Sequence, residues 1–166
     1  MLFRSANGRE KADLVLKNGN VLNVFTEEVL KADVAICGDT IVGVGEYEGK
    51  EEIDCTGKYL VPGFIDAHMH IESCMAAPGE LAKVLAKAGT TTIIADPHEI
   101  VNVSGTKGMD YFLKCAAKLL VNVFFMVPSA VPATDVETNG CGEFLASDMM
   151  KYVDNARVLG LGETMR

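Results

Sequence analysis

From Val61 onward the chain alternates short apolar runs with amphipathic stretches, and this alternation restricts the fold more than any other feature of the sequence. The runs Phe64 to His68, Thr91 to Ala95, Val121 to Val127 and Val158 to Leu161 are apolar or β-branched and too short for helices. Between them, Pro78 to Ala88, Lys107 to Leu119 and Ser147 to Asn155 read as helices, the first with proline in its opening turn and Gly89 at its stop. A βαβαβαβ order implies a parallel sheet with right-handed crossovers, and such sheets carry their chemistry at the carboxyl ends of the strands. His-Met-His-Ile-Glu follows the first strand where a dinucleotide-binding fold would place a glycine-rich loop, so a TIM-type barrel is favoured over a Rossmann fold. A complete barrel needs eight such units and about 250 residues. The 166 residues here hold about four, so the expected fold class is α/β, the first half of a TIM-type (β/α)8 barrel over 61–166.

Residues 1–60 read differently. Asp13 to Lys17 and Val21 to Phe25 flank an Asn18-Gly19-Asn20 turn, and Lys31 to Ile36 and Thr40 to Val44 flank Gly38-Asp39, which predicts a small antiparallel sheet. The charged run Glu46 to Glu52 reads as a solvated hairpin or loop. A net charge of −8 argues against nucleic-acid and anionic-membrane partners. No apolar run has the length of a membrane span and the first residues form no signal-peptide core, so the expected location is the cytoplasm. The five cysteines are scattered without a Cys-x-x-Cys pair, which suggests neither a disulfide framework nor a zinc-thiolate site.

Polar groups recur where the apolar strands stop. His68 and His70, two of only three histidines, sit one residue apart at the first strand end. On an extended chain their side chains share a face, about 6.6 Å apart at Cα, a chelating geometry. Asp96, His98 and Glu99 end the second strand, and Glu163 follows the fourth. Each cluster has an ordinary reading as well. A His-x-His pair can be hydrogen-bonded surface histidines, Asp-Pro-His-Glu a strand-to-loop turn, and a glutamate near a chain end a solvated charge. Their common position in the barrel register favours function. The methionines and Cys74 read as packing residues.

Val61-Pro62-Gly63-Phe64-Ile65-Asp66-Ala67-His68-Met69-His70 resembles the first-strand signature of the amidohydrolase superfamily. More narrowly, His68 to Ser73, Thr90 to Ile100, Phe125 to Thr134 and Gly160 to Met165 resemble the adenine deaminase family, in the right order from about Asp13 to the last residue. The resemblance implies that the leading sheet is part of a small β-sandwich. It implies hydrolytic deamination of adenine to hypoxanthine and ammonia, in purine salvage, on a binuclear manganese or iron centre. His68 and His70 then bind one metal and Glu163 bridges both, a task that suits a carboxylate because each oxygen can take one cation. Asp96, His98 and Glu99 join the metal set, Glu163 and His98 are the catalytic residues, and Ser129 and Thr134 contact substrate. The superfamily's histidines after strands five and six and its aspartate after strand eight have no counterpart before Arg166. The expectation is an amino-terminal portion, inactive alone, that associates with itself or with a missing carboxy-terminal segment. Two other readings stay open: an amidohydrolase acting on another cyclic amide, and a non-catalytic fragment that binds metal or oligomerises.

Overall fold

The computed structural model describes residues 2–134, 136–137 and 139–164. Met165, the end of one motif singled out above, lies outside them. The chain divides into two compact units, Met1–Pro62 and Gly63–Arg166.

The first unit opens with a short helix α1 (Leu2–Ala6) and continues with strands β1 (Ala12–Asn23), β2 (Glu28–Cys37), β3 (Thr40–Gly45), β4 (Gly49–Asp54) and β5 (Tyr59–Leu60). Their sheet runs β3-β2-β1-β4, with β5 also on β1. It is mixed: β1 pairs antiparallel with β2 but parallel with β4 and β5, which corrects the expected antiparallel sheet. The charged run expected to be a hairpin or loop largely forms β4. The predicted turn at Asn18-Gly19-Asn20 is instead a bulge inside one long strand. Asn18 does adopt a left-handed φ of 60°, but its N–H donates to the Asp33 carboxylate, and beyond Gly19 the strand resumes to pair with β5. Gly19 is required there, because a Cβ would lie 2.5 Å from the Leu60 side chain. The reversal of the chain comes later, at Glu27, whose φ is also 60°. Ala12, Val15, Ala35 and Cys37 form the small core, with Val42 and Tyr47 packed on it.

The second unit holds β6 (Phe64–Met69), α2 (Pro78–Lys87), β7 (Thr90–Ala95), α3 (His98–Ser104), α4 (Thr106–Ala116), β8 (Asn122–Val127), α5 (Ala146–Met149) and β9 (Val158–Leu161). The strands form one sheet in the order β6-β7-β8-β9, every pair parallel. In β8 the buried residues Val123, Phe125 and Val127 alternate with more exposed ones, so one face enters the core. Helix α4 buries Met109, Phe112 and Ala116, a helical stripe that covers that face, with Phe112 stacked on Phe125 at 6.1 Å. Two helices depart from expectation. The Ser147 to Asn155 helix shortens to four residues followed by turns, and α3 arises directly after the Asp96-Pro97 pair. Proline ahead of the first turn, Glu99 within it and Gly105 at the stop, with φ 60°, are the local reasons α3 forms. Among the described residues no helix is long and apolar enough to cross a membrane.

Ile93 is 1% exposed at the centre of this core. Ile93→Val is expected to cost about 0.5–1.5 kcal/mol, the usual range for removing one buried methylene, and urea denaturation checks it.

Candidate metal centre

The parallel order of β6 to β9 brings the strand ends carrying His68, His70, Asp96 and Glu163 to the same end of the sheet. His68 is inside β6 and His70 just beyond it, and their rings lie 5.1 Å apart, nearly edge to face. Glu163 follows β9 and reaches both: one carboxylate oxygen lies 3.4 Å from His70 Nε2, the other 3.8 Å from His68 Nε2. One ligand atom from each of the three residues falls within 4.8 Å of the others, a spacing that one ion can gather. Two imidazoles and a carboxylate are a donor set suited to a divalent transition metal.

The surrounding residues orient these donors. Glu99, in the first turn of α3, lies 3.0 Å from His70 Nδ1. When that nitrogen carries the proton and donates it to Glu99, the Nε2 lone pair is free on the side where Glu163 lies. Burial alone would push the His70 imidazole down, but the charge and hydrogen bond of Glu99, with Asp96 and Glu163 adding to them, carry it above its ordinary value. Asp96 is fully buried, and burial raises its carboxyl above the usual range. One of its oxygens accepts the Glu163 N–H at 3.0 Å; the other has no hydrogen-bond partner among the described residues. Three carboxylates, Glu99, Asp96 and Glu163, thus gather around His68 and His70, negative charge that a cation would offset.

Of the residues singled out by sequence, His68, His70 and Glu163 converge. Glu99 joins them through His70 and Asp96 through the Glu163 backbone. His98 is buried near Asp96, its Nδ1 unpartnered among the described residues. Ser129 turns its hydroxyl to the Glu163 carbonyl at 2.9 Å, and Thr134 is exposed in the loop after β8, its own carbonyl accepting the Glu137 N–H. Sequence reasoning gave Glu72 no role. Its carboxylate accepts the Ile100 N–H at 2.9 Å, tying the segment after His70 to α3, and burial raises its pKa. A carboxylate two residues beyond the His-x-His pair was the available signal.

A curated adenine deaminase from Desulfitobacterium hafniense is 58% identical over 158 residues, covering 95% of this chain and 28% of that protein. One from Clostridium acetobutylicum is 52% identical over 163 residues, covering 98% and 28%. The chain therefore spans little more than a quarter of the length of these relatives. An atrazine chlorohydrolase from Arthrobacter aurescens TC1, solved with zinc, has a TM-score of 0.64 at 17% identity over 92% of this chain and 47% of its own, a likeness of fold. Residues 59–159, more than half of the sequence, match the model of the Amidohydrolase family, and with its histidine pair and glutamate at the strand ends the chain belongs to that family.

Proposed function

We propose that this chain is the amino-terminal portion of a metal-dependent adenine deaminase, comprising the first four units of a (β/α)8 barrel and part of a β-sandwich. The observation that carries the reading is the convergence of His68, His70 and Glu163, within a stretch 58% identical to an adenine deaminase. The reaction adds water across the purine C6–N bond: a C6–O bond forms, the exocyclic C–N bond breaks, and ammonia leaves as hypoxanthine appears. His68, His70 and Glu163 would hold a divalent ion, and such an ion would supply the acidity that makes water a nucleophile at neutral pH. We assign manganese as the ion that this donor set would take.

The chain's own part is orientation and proton handling. Glu99 fixes the His70 tautomer and Glu163 offers both oxygens. His98, whose Nδ1 is free among the described residues, stands beside Asp96 as the group to carry a proton toward the leaving amine. Thr134, exposed after β8, is left for substrate contact. Phe64, Ile65, Leu159 and Leu161, on the two outer strands, are each more than half exposed, which supports a further segment or a second copy covering those edges. We place the protein in the cytoplasm.

The purified 166-residue chain is expected to form no hypoxanthine from adenine. Completed with the rest of a relative's length and loaded with manganese, it is expected to do so, and His68→Ala is expected to abolish the activity. Hypoxanthine from the short chain would overturn its assignment as inactive alone. Turnover of a hydantoin or an acetylated amino sugar in place of adenine would overturn the substrate.

A further inference from the structure

We infer that Asp96 and Ser129 act as a backbone clamp that positions Glu163, Asp96 serving as an anchor for the strand end in place of a metal ligand. The inference rests on the reading of His68, His70 and Glu163 as a metal centre. Strand β9 stops at Leu161, and the last ladder bond beyond it runs from the Gly162 N–H to the Val127 carbonyl at 2.7 Å. Glu163 therefore lies past the ladder, where a backbone normally turns to water and a side chain loses its aim. Both of its backbone polar groups are instead taken by side chains from the ends of β7 and β8. Its N–H donates to Asp96 Oδ2 at 3.0 Å, and its carbonyl accepts from Ser129 Oγ at 2.9 Å.

The approach is close enough to dictate the preceding residue. A Cβ on Gly162 would run into the Asp96 carboxylate, so the close approach of this carboxylate to the backbone calls for glycine there. Asp96 itself is 0% exposed, and its acceptor bond to a main-chain N–H is charge-assisted, hence stronger and more directional than a neutral one. Asp96 is not one of the three residues whose ligand atoms gather within 4.8 Å. The clamp holds the two peptide planes that flank the Glu163 Cα, one on each side, and so aims its carboxylate at the two imidazoles.

The distinguishing variant is Asp96→Asn, which keeps an oxygen acceptor for the Glu163 N–H but is a far weaker metal ligand. The test uses the complete protein, with Asp96→Asn, Asp96→Ala, Ser129→Ala and His68→Ala. Amide hydrogen exchange is followed by mass spectrometry over the peptide from Val158 to Thr164, and manganese affinity by titration calorimetry. Asp96→Ala is expected to speed exchange at Glu163 by about tenfold or more, since a charge-assisted bond is lost, and to weaken manganese binding by about 10–100-fold, as loss of an orienting group does. Asp96→Asn is expected to restore both to within about threefold. Ser129→Ala, at a half-buried site that tolerates it, is expected to shift both in the same direction by less, and decides the matter if Asp96→Ala does not fold. Equal loss of manganese in Asp96→Asn and Asp96→Ala would overturn the inference by making Asp96 a ligand. Unchanged exchange at Glu163 in Asp96→Ala and Ser129→Ala would overturn it by removing the clamp. Manganese binding that His68→Ala leaves untouched would instead overturn the metal centre, and the exchange data would still judge the clamp alone.

Discussion

Glu163→Ala is expected to lower manganese affinity by more than about 100-fold, or more than about 2.7 kcal/mol, and to leave the completed enzyme without measurable adenine turnover. The bound follows from comparison. Residues that merely orient a ligand cost about 10–100-fold in affinity or activity when removed, so a residue that supplies the only carboxylate of the gathered trio must cost more. What remains after the change is a pair of neutral imidazoles, which hold a divalent ion without balancing its charge. The fold should survive the substitution. The Glu163 side chain is close to half exposed, and its two anchoring bonds to Asp96 and Ser129 use backbone atoms that alanine retains. Circular dichroism indistinguishable from the parent, combined with the loss of manganese by elemental analysis, is the expected pair of results. Glu163→Gln keeps the size and one good acceptor oxygen, and is expected to fall between the two. Full manganese occupancy in Glu163→Ala would sink the assignment of this residue as a ligand.

The parts of this molecule that sequence made legible are those in which local pattern and tertiary demand agree. The four parallel strands carry runs whose β-branched and apolar residues are wanted both by an extended backbone and by a buried face, as Val123, Phe125 and Val127 illustrate. His68 and His70 could be read as a pair because extended geometry alone puts them on one face. Glu163 could not be read from its surroundings. Its relation to the histidines exists only because β9 lies three strands away from β6 in one parallel sheet, and only strand register and family resemblance pointed to it. The misreadings have a common cause. Asn18-Gly19-Asn20 has the composition of a hairpin turn, and the intended left-handed residue is indeed present at Asn18. Yet Asp33, fifteen residues on, takes the Asn18 N–H, and Leu60 closes over Gly19, so distant contacts convert a turn into a bulge. Likewise the charged Glu46 to Glu52 run reads as a solvated hairpin or loop. Solvation does hold for most of its side chains, but the backbone from Gly49 pairs with β1 because a parallel edge asks nothing apolar of residues that face water.

The same carboxylate governs the stability of the first unit. Asp33 is 5% exposed and accepts three donors: Lys17 Nζ at 2.6 Å, the Asn18 N–H at 2.9 Å and the Tyr47 N–H at 3.1 Å. It therefore holds the bulge in β1 and the segment after β3 to one point. Asp33→Ala removes the acceptor for all three and leaves the Lys17 ammonium without its counter-charge, with only the Tyr47 carbonyl at 2.9 Å to accept from it. Breaking a buried pair costs about 3–5 kcal/mol, and the lower end, about 3 kcal/mol, is expected here because Lys17 keeps some contact with water. The pH dependence carries its own sign. Burial alone would raise the Asp33 carboxyl, but the Lys17 ammonium and the two backbone N–H groups together hold it below its ordinary 3.8. The unfolded chain thus binds the proton first as pH falls, so the contribution of Asp33 is complete above about pH 3.8 and is lost as pH drops through the lower folded value. At the other end the hydrogen bond to Asp33 raises Lys17 above its ordinary 10.5, so the pair persists until pH rises past that point. Urea denaturation of the parent and Asp33→Ala is expected to show a gap of about 3 kcal/mol at pH 7, unchanged at pH 5. The gap should narrow only as the pH falls below 3.8, because there the parent surrenders what the variant never had. A gap that keeps its size down through the folded value would mean that Asp33 stabilises this unit by packing and not by its charge.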